Sequence, residues 1–85
     1  MAQTTTQRSI TPRQREVVAL IAAGCSNDEV GVRLGISART AKAHSDALRQ
    51  KLGVSRRRQI PVAFRTLTGV DPLLLHPGVR QRPRR

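Results

Sequence analysis

Aromatic residues are nearly missing from this chain of 85 residues, where one Phe stands alone without any Trp or Tyr. An aliphatic core is therefore expected, and base stacking on aromatic platforms has almost nothing to work with. That argues against RNA-recognition and OB-type modules. Acid is scarce too. Five Asp and Glu face sixteen Lys and Arg, for a net charge of +11, and so large a charge on so short a chain repels itself unless a polyanion is present. The single Cys25 excludes an intrachain disulfide. It reads as a small apolar residue in a reducing compartment, with a redox sensor as the alternative. No His, Cys and carboxylate cluster offers metal ligands, so neither metal nor cofactor is expected. A long apolar run, a signal-peptide h-region and a lipidation motif are also missing. Hence no membrane partner is expected, and the chain reads as soluble and intracellular. At this length and 38% hydrophobic content, one small domain of about three or four helices is all the core can support.

What is present centres on residues 37–52. Ser37 is a good N-cap, and the run ends at Gly53, the usual type for a left-handed position just past a helix. Stepping about 100° per residue, Ala41, His44, Ser45, Leu48 and Leu52 fall on one side, and Arg39, Lys42, Ala43, Asp46, Arg49 and Gln50 on the other. Simple solvation is the bland reading of the polar face. Against it stands the mixture: short Ala38 and Ala43 permit close approach, while Arg39, Lys42 and Arg49 surround them with positive charge. Such a surface suits a DNA groove.

Upstream, residues 1–9 show no periodicity and are expected to form a flexible arm. Thr11-Pro12-Arg13-Gln14 is a capping-box signature with Pro at the first helical position. The helix it opens should run over 12–23, with Val17, Val18, Leu20, Ile21 and Ala22 as its buried stripe and Gly24 as its exit. Ser26-Asn27-Asp28-Glu29 forms a second capping box for a helix over 27–34, whose Val30 and Leu34 face inward. A short helix, the Gly35-Ile36 link and a longer cationic helix compose a helix-turn-helix unit, in which the second helix enters the major groove. Past Gly53-Val54, Ser55 can cap a further helix beginning at Arg56-Arg57-Arg58, whose charges oppose the helix dipole and so call for another reason, such as phosphate. Pro61 falls five or six positions into that helix and should kink or delay it. Val62, Ala63, Thr66 and Leu67 continue a stripe to Gly69. In the tail, residues 70–85, Leu73-Leu74-Leu75 is expected to fold back onto the domain or pack across a dimer, with docking on another protein as the alternative. Arg80, Arg82, Arg84 and Arg85 add sequence-independent phosphate attraction.

Five ordered blocks carry a resemblance over about residues 10–68: Ile10 through Val18, Gly24 through Val30, Leu34-Gly35-Ile36-Ser37, Thr40 through His44, and Lys51 through Val54. In order and spacing they resemble the LuxR-type (NarL/FixJ, GerE) helix-turn-helix domains of bacterial transcription regulators. The resemblance implies an all-α, four-helix domain over 10–69 that binds DNA as a dimer through inverted half-sites, with the fourth helix as the dimer contact. By matching position, Lys42, Ala43 and Asp46 would face base edges, and Thr40 and Lys51 would lie near phosphates. Glu16 would pair with an Arg near the start of the fourth helix, for which Arg57 is the candidate, and His44 would be a buried, hydrogen-bonded imidazole. The chain departs from the family at Ala41, where Val is usual, and at Gly31, where Ala is usual. Large-to-small costs put the expected loss at roughly 1 to 2 kcal/mol, for a marginal fold. Asp46 replaces a position that is often cationic or polar, so it should accept from a cytosine amino group or discourage wrong sequences.

Three readings follow. The leading one is a small stand-alone transcription regulator of the bacterial cytoplasm, nucleoid-associated and homodimeric, since no receiver or ligand-binding domain precedes the motif in these residues. Arg39, Lys42, Ala43, Asp46 and Arg49 would read bases, Arg13, Thr40, Lys51, Arg56, Arg57 and Arg58 would anchor phosphates, and Val62, Ala63, Thr66 and Leu67 would make the dimer. The second is an adaptor that keeps the scaffold and binds RNA polymerase or another regulator. The third, nonspecific nucleic-acid compaction, follows from the charge. No nucleophile, paired carboxylates or phosphate-cradling Gly loop appears, so no enzyme is expected.

Overall fold

The computed structural model describes residues 10–74, and the first three helices within them start where the local chemistry of a cap dictates. The expected arm 1–9, and Leu75 with the arginines beyond it, lie outside the described residues. Helix α1 spans Pro12–Ala22: the Thr11 hydroxyl accepts from the Gln14 amide, and the Gln14 side chain accepts in return from the Thr11 amide. Helix α2 spans Asn27–Leu34 under the same reciprocal pair, Ser26 and Glu29, and exits at Gly35. Helix α3 spans Ala38–Leu52, with Ser37 accepting from the Thr40 amide, and exits at Gly53. Gly35 and Gly53 adopt φ of +70° and +71°, which only Gly tolerates without strain.

Downstream of Gly53 the chain departs from expectation. No helix begins at Arg56. A short 3-10 turn, Arg57–Gln59, comes first, and helix α4 spans Ile60–Thr68 with Pro61 in its first turn. The Ser55 hydroxyl is not the cap; instead the Gln59 side-chain oxygen accepts from the amides of Ser55 and Arg56. Pro61 thus sits where a missing N–H costs no bond, so it delays the helix without kinking it. A last 3-10 turn, Pro72–Leu74, lies against α1 and α4.

The core forms where α1 meets α3 and α4. Ile10, Val17, Val18, Leu20, Ile21, Val30, Ala41, Leu48, Ile60 and Phe64 are buried together. The expectation of an aliphatic core is corrected here: the single Phe is fully buried and has Arg15 over its ring, 5.7 Å from the centroid. Ile60 and Phe64, one turn apart, are the buried face of α4, so Val62, Thr66 and Leu67 are left exposed. On α1, Gln14 and Ala19 are buried, while Ala22 is only half-buried.

Gly31 overturns a second expectation. It is buried, and a Cβ placed on it would lie 2.6 Å from the Ile36 carbonyl oxygen and 3.3 Å from the Ala38 amide nitrogen. Backbone has moved into the space a methyl would fill. The junction between α2 and α3 is therefore closer, not thinner, and no packing is missing there. Nor do Leu73 and Leu74 cover the domain: Pro72 is buried, while these two leucines remain exposed.

Candidate nucleic-acid interface

Helix α3 owes its orientation to one apolar side and its surface chemistry to the other. Ala41, Ser45 and Leu48 are buried, and the Ser45 hydroxyl is satisfied by donating to the Lys42 carbonyl at 2.9 Å. Opposite them, Arg39, Thr40, Lys42, Ala43 and Gln50 are exposed and Asp46 is half-exposed. Positions 39, 42, 43, 46 and 50 follow the spacing of a single helical face. Fifteen residues make the helix roughly 22 Å long, which comfortably crosses a major groove about 12 Å wide. The close approach at Gly31 holds α2 behind the first turn of α3. The same face is what the sequence pattern pointed to.

Within that face Lys42 and Asp46 are already partnered. The Asp46 carboxylate accepts from Lys42 Nζ at 2.9 Å with one oxygen and from Arg49 at 2.6 Å with the other. The hydrogen bond from Arg49, then that from Lys42, holds its carboxyl below the ordinary carboxylate range. Arg49 also donates to the Ser55 carbonyl at 3.1 Å. Its guanidinium therefore bridges α3 to the segment after it. Arg39, exposed at the first turn, makes no ion pair among the described residues.

The phosphate candidates divide. Arg56 and Arg58 are exposed and, with Arg57, Ile21 and Gly24, line an open cleft. Arg57 is different. Its guanidinium turns inward and donates to the Cys25 carbonyl at 2.7 Å, and its Nε is buried without a hydrogen-bond partner among the described residues. The expected Glu16–Arg57 pair is not formed, because Glu16 pairs with Arg13 one turn back at 3.2 Å. Arg13 is half-committed in that exposed pair, which costs little to open. The Thr40 hydroxyl accepts from Ser37 Oγ at 2.9 Å, and Lys51 Nζ donates to the Gln14 side-chain oxygen at the same distance. His44 is half-buried and its ring takes no hydrogen bond among the described residues, contrary to the buried, bonded imidazole expected there.

Two connections escape the sequence pattern. Gln14 is a capping residue that also anchors Lys51 across 37 positions, and the only signal for it is a buried polar residue inside an apolar stripe. Arg57 supports the α1–α2 turn through Cys25, a backbone acceptor that no sequence motif marks.

On α4, Val62 is 68% exposed and Leu67 43%, Thr66 lies beside them, and Ala63 is half-buried. Val62, Pro61, Arg65, Asp71, Pro72 and Leu73 shape a groove of about 120 Å³ at the edge of this stripe. Among the described residues no helix is long and apolar enough to cross a membrane.

A family model described as bacterial regulatory proteins, luxR family (GerE), matches residues 8–64. The transcriptional regulatory protein MctR of Rhizobium johnstonii is 46% identical over 46 residues, covering 54% of this chain and 22% of that protein. The putative HTH-type transcriptional regulator YhjB of Escherichia coli is 46% identical over 52 residues, covering 61% of this chain and 26% of its own length. The HTH-type transcriptional regulator MalT of Serratia proteamaculans is 42% identical over 50 residues, or 59% of this chain and 6% of that protein. The similarity thus spans 26% or less of each of these relatives. No solved structure matches the chain.

Proposed function

The chain belongs to the luxR family of bacterial regulatory proteins and carries its helix-turn-helix DNA-binding domain, and on that premise we propose that it regulates transcription by laying α3 in the major groove of duplex DNA. The observation that carries this reading is the exposed cationic face Arg39-Lys42-Ala43 on a helix long enough to cross the groove, backed by buried Ala41 and Leu48. Arg39 and Lys42 donate to base edges, Ala43 allows the helix close to them, and Asp46 lies on the same face. Arg13, Thr40, Arg56 and Arg58 anchor on phosphates, with Lys51 joining them after leaving Gln14. Arg57 belongs to the fold. The domain acts as a homodimer through Val62, Ala63, Thr66 and Leu67, whose exposure supports a contact there. Its place of action is the bacterial cytoplasm, where its duplex lies, and its mechanism is binding without chemistry.

With ~6 phosphates neutralised per dimer, log affinity falls against log salt with a slope near −5. Competition between a preferred and a scrambled duplex tests the assignment. Lys42→Ala should lose preference and keep most scrambled-duplex affinity, whereas Arg58→Ala should weaken both alike. Equal loss on both duplexes from Lys42→Ala would remove α3 from base reading. A second reading has one observation in its favour: exposed Leu73 and Leu74 offer an apolar edge on which RNA polymerase or another regulator could seat. Partner binding that survives simultaneous neutralisation of Arg39 and Lys42 would mark that adaptor role.

A further inference from the structure

Asp46 is the only acid on a helix whose exposed side otherwise carries Arg39, Lys42 and Arg49. Its two carboxylate oxygens are taken by different cations, Lys42 at 2.9 Å from one turn before and Arg49 at 2.6 Å from one turn after. Arg49 is held a second time by the Ser55 carbonyl at 3.1 Å. As a stabilising device the arrangement is poor. The Lys42 pair is exposed to solvent and the Arg49 pair only part-buried, and a Lys preceding its acid by four residues is the weaker orientation on a helix. What the geometry does accomplish is to fix where two positive groups sit. A free lysine sweeps a wide arc and meets a phosphate on almost any sequence. One tied back to position 46 stays over the middle of the reading face.

We propose that Asp46 is a specificity-determining, positioning residue, a clamp that withholds Lys42 and Arg49 from DNA phosphates and presents them together at the centre of the groove face. This rests on the groove-reading assignment above. On a random sequence, Lys42 and Arg49 must leave the carboxylate to reach phosphates, and the abandoned negative charge then lies against a polyanion. That penalises nonspecific binding. At the preferred site the triad stays intact: Lys42 and Arg49 keep protons to donate to guanine O6 and N7, and the free lone pairs of Asp46 can accept from a cytosine N4 amino group. One acid thereby removes affinity that carries no information and orients the donors that do.

The test uses the full chain, one duplex enriched from a random pool and a scrambled duplex of equal length, each titrated across a salt series. Asp46→Asn keeps the shape and a hydrogen-bond acceptor but removes the charge. It should raise scrambled-duplex affinity roughly 10-fold and steepen the salt slope by about 2 to 4 per dimer, as one or both released cations of each protomer reach phosphates. Preferred-duplex affinity should change less, so the ratio between duplexes falls. Asp46→Glu restores the carboxylate and should return both quantities toward wild type, which a merely structural role for the side chain would not require. Scrambled-duplex affinity and salt slope unchanged in Asp46→Asn would overturn the proposal, as would equal weakening on both duplexes with the helical circular dichroism signal intact. A wild-type chain blind to sequence would instead refute the groove-reading assignment, and the clamp would still be decided by the Asp46→Asn change on the scrambled duplex.

Discussion

Removing Arg57 should damage the fold and leave phosphate binding intact, although by sequence it sits in the middle of a three-arginine run. Its guanidinium donates to the Cys25 carbonyl at 2.7 Å, tying the 3-10 turn before α4 to the α1–α2 turn. A hydrogen bond from a charged donor contributes about 1.5–3 kcal/mol net, and because this one is only partly buried the low end, about 1.5–2 kcal/mol, is the reasonable expectation. A domain of this size holds roughly 4–12 kcal/mol in total, so the loss is a sizeable share of it. With an m-value of about 1 kcal/mol/M in urea, the unfolding midpoint of Arg57→Ala should fall by about 1.5–2 M. Arg58→Ala, exposed and without an ion pair among the described residues, should stay within about 0.5 kcal/mol of wild type. The DNA measurement divides the two arginines the other way: the salt slope should shrink by about 1 for each phosphate that Arg58 neutralises when it is replaced by Ala, and hold in Arg57→Ala. An Arg57→Ala protein with an unchanged urea midpoint and a reduced salt slope would refute the inward assignment and return Arg57 to the phosphate set.

Other consequences follow from the same packing. Phe64→Ala empties the centre of the core and should cost about 3–5 kcal/mol, enough that a chain of modest stability loses its cooperative thermal transition; a loss below about 1 kcal/mol would mean the ring is not where the core is built. Gly31→Ala should destabilise by about 1–3 kcal/mol, since the new methyl meets the Ile36 carbonyl and the backbone has to yield. If the variant is more stable in urea, the junction has slack and the close approach is not tight. The Asp46 carboxyl is held below its ordinary range by Arg49 and Lys42. Its contribution is therefore present at neutral pH and lost only as pH falls through that lowered value. Carboxyl carbon shifts followed by NMR should show Asp46 titrating below the ordinary carboxylate range; titration within that range would mean the clamp is open in solution.

The first three helix starts were legible because caps are local. Thr11 with Gln14, Ser26 with Glu29, and Ser37 each satisfy amides within three residues, so a window of four letters contains the whole interaction. The glycine exits at 35 and 53 are equally local. The exposed cationic face of α3 was legible too, since periodicity alone separates buried Ala41, Ser45 and Leu48 from exposed Arg39, Lys42 and Ala43. Where sequence and structure part, the deciding partner was distant or a rotamer chose between several. Gln59 rather than Ser55 organises the approach to α4, which moves Pro61 from the interior of a helix to its first turn. Arg57 selects a carbonyl 32 positions away and Lys51 a side chain 37 positions away. Gly31 looked like a missing methyl, yet whether a small residue leaves a hole or admits a neighbour depends on backbone that the letter does not describe.

The central claim, that α3 reads bases through Lys42, is tested most directly by selecting bound sequences from a random duplex pool at about 150 mM salt, near physiological screening, for wild type and Lys42→Ala together. The expected result is a reproducible inverted-repeat motif for wild type and a motif for Lys42→Ala that blurs at defined positions in each half-site. A pool that stays flat while the protein binds tightly would contradict the account, leaving charge and phosphates to explain all of the affinity.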